Sequence, residues 1–320
     1  MKILFFGLCF IYSLSAQFDP DIYTHLLTDI FTHNYTTAEK RIHRLENTEF
    51  KYLCKATLIQ AQMQDVQSFN PSDLNRFDTL IDSLIQLHSD EDSPHMFLGS
   101  YYFLKAAEEK RRGAYFSAYK LGNKGRSVLE THIEKSSDIN LKLPVGLLMY
   151  WKSVETKWIP FFSDEKEEGL TYIKDVINYG TYSKLSAIQQ YIYILSHQKM
   201  HTTALQLAEE YISKYPRSRM FKWAYAYALI KAEKHLLALP VLEELFQFYK
   251  QFPLSYNTLE LNYKMALCKL KLNKVSEAYL ILKHINQTGY DEYTLNKIEH
   301  KLEHINTLLE ELDENQEITN

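Results

Sequence analysis

The chain has 320 residues, with only 9 Gly and 8 Pro, 14% aromatic side chains and a formal net charge of −4. So few turn formers exclude a many-stranded sandwich or barrel, which turns every roughly 8–12 residues, and also collagen, Gly-rich linkers and Gly-rich phosphate loops. A hydrophobic share of 46% excludes disorder, and the mild charge points to neither nucleic acid nor an acidic membrane surface as partner.

The chain opens with Met1-Lys2, an apolar run from Ile3 to Tyr12, and Ser13-Leu14-Ser15-Ala16-Gln17. A positive start, a short apolar run and a small-residue exit predict a secretory signal peptide over 1–16, cut after Ala16. The run is too short to span a bilayer, which takes about 20 residues, and Cys9 lies inside it rather than at a lipid-anchoring exit. No later segment is apolar enough for a span, so the expected product is exported, periplasmic or at the cell surface. Cys54 and Cys268 stand far apart in apolar settings (Tyr52-Leu53 before one, Ala266-Leu267 before the other), which suits buried thiols rather than a bridge.

From there the apolar period is that of helices. Ala204, Leu205, Leu207, Ala208, Tyr211 and Ile212 fall at i, i+1, i+3, i+4, i+7 and i+8. The pattern predicts helical hairpins near 20–46, 48–88, 94–135, 139–180, 183–215, 218–252 and 257–287. The stretches 64–75 and 89–93 are expected as loops. A last helix near 290–312 would bury Leu295, Ile298, Leu302, Ile305, Leu308 and Leu309 on the open end, and a polar tail would follow at 313–320. No Pro/Gly/Ser linker divides 17–312, so one domain is expected.

The hairpins share a spacing. Ile192 and Ala204, Ala226 and Ala238, and Ala266 and Ala278 are each twelve residues apart, across the polar turns Gln198–His201, Ala232–His235 and Leu272–Val275. Pro216 and Pro253 stand near two repeat ends, where proline stops a helix. Leu26 with Ala38 and Ala106 with Ala118 keep the spacing upstream; Lys157 with Gly169 does so less well. Small residues at both places allow the two helices of a hairpin to approach closely. Pro240 is expected to bend or delay its helix.

A helix–turn–helix repeat of 34 residues with small residues at its eighth and twentieth positions and a closing proline resembles the tetratricopeptide repeat, most clearly over 185–287. Ala204, Ala208, Tyr211 and Pro216 match its second helix and stop; Ile192 departs from its small residue. The stretch 94–180, through Leu143–Trp151, Phe161-Phe162-Ser163-Asp164, Glu168-Gly169 and Tyr179–Ser183, resembles a group of exported bacterial repeat proteins of unassigned activity. The resemblance implies an all-α, right-handed solenoid of about seven hairpins with a C-terminal capping helix. It also implies that the first helix of each repeat lines a concave wall, which places Gln189, Tyr193, Trp223, Tyr227, Tyr263 and Leu267 there. Such a wall is aromatic and uncharged, suited to a peptide with apolar anchors or to sugars. Trp151 and Trp158 are expected in the core at a hairpin joint.

Other motifs weigh less. His300-Lys301-Leu302-Glu303-His304 matches the H-x-x-E-H string of inverted zinc peptidases, with both His on one helix face, yet few residues remain to supply a third ligand. His197 and His201 flank a repeat turn. Gly122-Asn123-Lys124-Gly125 has no strand beside it and reads as a helix break. Lys110-Arg111-Arg112 with Lys120, Lys124 and Arg126 forms a basic run, either a solvated turn or a patch for an acidic ligand. The function expected is a non-catalytic scaffold that binds a cell-envelope protein or peptide, with no metal or cofactor. A metal-dependent hydrolase using His300, Glu303 and His304, or a glycan-binding module, are the alternatives.

Overall fold

The computed structural model describes residues 20–46, 48–66, 71–89, 96–135, 138–158, 163–252, 255–290 and 292–319. The expected signal peptide, Pro253 and the Phe161-Phe162 pair lie outside them. Among the described residues the regular structure is entirely helical. In chain order the helices are α1 (Pro20–Phe31), α2 (Tyr35–His43), α3 (Thr48–Val66), α4 (Pro71–Ser89), α5 (Met96–Arg112), α6 (Tyr115–Lys135), α7 (Lys142–Thr156) and α8 (Lys166–Tyr179). They continue as α9 (Lys184–His197), α10 (His201–Lys214), α11 (Arg219–Lys231), α12 (His235–Tyr249), α13 (Tyr256–Lys271), α14 (Val275–Gln287) and α15 (Glu292–Thr319). No described helix is long and apolar enough to cross a membrane.

Five of the helix–helix turns repeat one geometry. His33, Lys199, Glu233, Asn273 and Gly113 all have positive φ, between 57° and 89°. In each, the next residue donates its N–H to the carbonyl five residues back: Asn34 to Asp29, Ala114 to Glu109, Met200 to Leu195, Lys234 to Leu229 and Lys274 to Lys269, at 2.8–2.9 Å. This left-handed cap satisfies carbonyls that the helix end leaves orphaned. Glycine is the usual residue there, yet four of the five are not glycine, which is how so many turns coexist with so few glycines. The following helix then starts within two residues.

The helices pack on their chain neighbours, α1 on α2, α4 on α5, α5 on α6 and α7 on α8, then each of α10 to α14 on the next. The contacts group into two compact units, one holding 1–62 and 71–191, the other 63–70 and 192–320. Where a single domain is expected, the divide runs through α3 and α9, not through a linker. In the first unit, Asp138 and Asn140 fix the 180–183 turn. The Asn140 side-chain oxygen accepts the N–H of Thr181 at 3.0 Å and of Ser183 at 3.2 Å, while Tyr182 donates its hydroxyl to Asp138 at 2.7 Å.

The marked small positions are buried: Ala38, Ala106, Ala118, Ala204, Ala226, Ala238, Ala266 and Ala278, with Leu26 and Ile192. Lys157 is exposed beyond the end of α7 and does not partner Gly169. The close approach of α7 and α8 belongs instead to Gly146 and Gly169, where a Cβ on either would lie 2.7 or 2.6 Å from the other's carbonyl oxygen. Gly99 and Gly125 play the same part between α5 and α6, at 3.3 and 3.0 Å. Gly122 to Gly125 is therefore no break, since α6 runs straight through it with both glycines buried. Packing of a shared interface outweighs the roughly 1 kcal/mol per residue that glycine costs a helix. Likewise α12 starts at His235 and runs through Pro240 without delay, and residues 64–66 and 71–75, expected as loop, are helical.

In the second unit α15 covers α13 and α14 much as expected. Ile298 and Ile305 are buried, and Leu302, Leu308 and Leu309 pack against Leu259, Ala266, Leu282 and Ile285. Each large aliphatic so buried contributes about 1.5–3 kcal/mol. Leu295 departs from that face, being 40% exposed, and the helix continues past 312 to Thr319.

Candidate functional site

A partly enclosed hollow lies in the first unit between α5, α6 and α7. It exists because the sequence places small residues where three helices meet. Ala106 and Ala107 on α5 and Ala118 and Gly122 on α6 leave space that Phe103, Leu148 and Trp151 close from below. Trp151 is buried, with its ring edge-on to Tyr150 at 5.0 Å. Tyr115 and Tyr119, one turn apart on α6, form the outer wall and remain 50% and 40% exposed. At one end of the mouth the Lys110 ammonium donates to Glu155 at 2.8 Å, joining the ends of α5 and α7. Beside it Lys152 donates to Glu165 at 2.6 Å. The volume is about 140 Å³, close to a cavity that holds one benzene ring, on the order of 150 Å³. Concave, apolar and aromatic with charge only at the rim, it has the make-up of a ligand site. A second, more open hollow lies between α3 and α4, with Tyr52 and Leu87 exposed at its edge.

The expected concave wall lies elsewhere and is more covered than the repeat register implies. Gln189 and Tyr193 are buried, and Trp223, Tyr227, Tyr263 and Leu267 are half-buried. Tyr193 packs edge-on against Tyr227 at 5.1 Å. Burial, with Tyr227 beside it, pushes the Tyr193 phenol well above its ordinary value, and burial pushes Tyr227 up to about 12. Tyr193 and Gln189 are therefore core. Trp223 donates its indole N–H to the Tyr249 hydroxyl at 3.4 Å. Tyr249 in turn donates to Asp65 at 2.8 Å, and Arg219 grips the same carboxylate with two nitrogens while stacking on Phe248 at 3.5 Å. Asn257 donates to the Asp65 carbonyl. Burial and the Asp65 charge hold the Tyr249 phenol far above its usual range. This network locks 63–66 against α11, α12 and α13, and sequence reasoning missed it because Asp65 is more than 150 residues from its partners.

Tyr263 belongs to another cluster. Its hydroxyl lies 2.5 Å from Nδ1 of His304, and the Lys301 ammonium sits 5.2 Å over its ring and 5.1 Å over that of Tyr256. Lys301 and Lys264 both reach Glu260. Burial alone would raise the Glu260 carboxyl, but the two ammonium groups win and hold it down at about 2. His304 thus faces Tyr263 while the 88%-exposed His300 contacts Glu303 at 3.4 Å. The two histidines of the H-x-x-E-H string have different partners. No group of three or more His, Cys, Asp or Glu among the described residues is arranged to hold a metal ion.

The basic run is not a free positive patch. Arg111 is buried on Glu108, and Arg112 bridges Glu108 and Asp78. Arg126 joins Glu130 to Glu165. Burial would lower both Arg112 and Arg126, yet their carboxylate partners raise them. These arginines are struts between helices. Lys120 and Lys124 alone among the six residues of the run remain exposed. Trp158, expected in the core, is 77% exposed. Cys54 and Cys268 are both buried and unbridged.

No protein-family model matches the chain, and no curated protein matches it.

Proposed function

We propose that the chain is a non-catalytic, tetratricopeptide-like scaffold, exported by the segment 1–16, that binds a peptide or protein of the cell envelope. In this reading the helices form seven hairpins stacked as a right-handed solenoid, with α15 as the cap. The recurrence of one left-handed turn in five hairpins and the buried small pairs support a repeat, since each hairpin buries its apolar face only against neighbours. The observation that carries the binding function is the ring-sized groove of α5, α6 and α7, walled by exposed Tyr115 and Tyr119. Aromatic anchors in a desolvated pit supply most of the affinity in such contacts. Half-buried Trp223, Tyr227, Tyr263 and Leu267 provide a second, smaller surface.

The test is affinity capture from envelope fractions with the wild-type chain, an Ala107→Trp variant that fills the groove from a half-exposed position, and a Trp223→Ala/Tyr227→Ala variant. Partners are expected from the wild type and lost with Ala107→Trp. Equal recovery from wild type and Ala107→Trp sinks the groove reading. Export is checked by the mass of the mature chain, expected to begin at Gln17.

A further inference from the structure

Next to the groove wall, a neighbouring face of α6 carries two lysines with no acidic partner among the described residues. Phe116, Lys120 and Lys124 stand four residues apart on α6 and so share one face, adjoining the wall made by Tyr115 and Tyr119. Phe116 is 82% exposed, more than any other large apolar side chain among the described residues. Lys120 and Lys124 are exposed and form no ion pair with a described residue; the Lys124 ammonium lies 5.5 Å over the Tyr102 ring. The other cations of the site are matched, Lys110 by Glu155 and Lys152 by Glu165. A ring-sized apolar pit therefore sits beside a ridge with an exposed phenyl group and two unmatched ammonium groups.

Resting on the groove reading above, we propose that the partner is an acidic peptide segment with one aromatic anchor. The anchor ring fills the pit over Trp151, between Ala107 and Tyr119. Carboxylates of the same segment pair with Lys120 and Lys124. The two lysines are one helical turn apart, about 6 Å at their Cβ atoms, which matches alternate residues of an extended strand at roughly 3.3 Å per residue. The segment thus runs extended along α6, with acids at every second position and its backbone across Phe116. Exposed charge pairs of this kind set partner choice and on-rate more than affinity, so the ring supplies the hold and the lysines the selection.

The experiment pans a random heptapeptide display library on the full-length chain and measures the enriched peptides by fluorescence anisotropy. The expected motif holds one Phe, Tyr or Trp with two or more Asp or Glu. Binding should weaken by about tenfold in a Lys120→Glu/Lys124→Glu variant, and weaken as salt rises. It should vanish in Ala107→Trp and in the milder Tyr119→Ala, both with thermal unfolding checked by circular dichroism. Enriched peptides that carry an aromatic residue but no acids, and that Ala107→Trp still abolishes, overturn this inference and leave the groove reading standing. Enrichment indifferent to Ala107→Trp, or no enrichment, overturns both. A wild-type dimer by light scattering that Phe116→Asp converts to monomer assigns the pit to a second copy and also overturns it.

Discussion

Replacing Gly146 by alanine tests the close approach of α7 and α8. The added Cβ would stand 2.7 Å from the Gly169 carbonyl oxygen, 2.8 Å from Tyr172 Cβ and 3.3 Å from Ile173 Cγ1. Ordinary contact begins near 3.4 Å, so α7 and α8 must part by roughly 0.7 Å. The first two obstacles are backbone and Cβ atoms, which no rotamer change moves. Alanine gains about 1 kcal/mol of helix propensity over glycine. Overpacking costs about 1–3 kcal/mol, and a gap of that size also forfeits a quarter to a half of each neighbouring dispersion contact. The expected net loss is about 1–2 kcal/mol. Gly122→Ala is the control, because its Cβ meets only Leu148 Cδ1 at 3.3 Å and Cδ2 at 3.6 Å. That flexible side-chain tip yields, so most of the propensity gain survives and the variant is expected to match or exceed wild type. Urea unfolding followed by circular dichroism and tryptophan fluorescence gives the two midpoints. If Gly146→Ala is as stable as Gly122→Ala, the α7–α8 crossing is not where the glycine pair puts it.

The left-handed turns supply a converse prediction: Glu233→Gly, at a φ of 58°, should raise stability by about 1 kcal/mol, read as a higher urea midpoint. Glu260 sits at about 2 against an ordinary 4.5. Its depressed carboxyl stabilises the fold above pH 4.5 and loses that effect as pH falls toward 2, so the deficit of Glu260→Gln in thermal unfolding should shrink across that window. A deficit independent of pH refutes the Lys264–Glu260–Lys301 pairing. Asp65→Asn leaves Arg219 without its carboxylate in a buried site and should cost about 3–5 kcal/mol. The double variant with Arg219→Met should cost clearly less than the sum of the single changes. Burial raises the Cys54 thiol well above its usual range and the Cys268 thiol to about 11. Iodoacetamide at pH 8 should therefore spare both in the native chain and label both in urea, as intact mass will show.

What the sequence made legible depends on how local the cause is. The helices and their turns were readable because the apolar period and the short polar turns are local. The spacing of Ala226 and Ala238, or Ala266 and Ala278, was readable because a small residue at a crossing leaves a repeated mark. Gly146 and Gly169 leave none, since they are 23 apart rather than twelve. Gly122 and Gly125 mislead because intrinsic propensity argues for a break while packing on Gly99, Phe103 and Leu148 decides for a helix. The basic run misled for a related reason. Arg112 finds Asp78 from 34 residues away and Arg126 finds Glu165 from 39, so a cluster of one sign in sequence becomes a set of neutral pairs in space.

The site follows the same logic at a further remove. A repeat register marks which residue of a helix is expected to point at the next helix, and Ala226 is buried where Trp223 is half-buried. The register does not tell how far neighbouring side chains cover that residue, which is why Tyr193 meets Tyr227 rather than solvent. The α5–α6–α7 groove is harder still, because its cause is a lack of side-chain volume. Ala106, Ala107, Ala118 and Gly122 read in sequence as ordinary helix-packing residues. Only when three helices bring all four to one place does missing volume add up to a pit, and only then do Tyr115 and Tyr119 change from surface aromatics into its wall. The aromatic residues that wall the pit are thus selected by the small residues opposite them rather than by their own spacing.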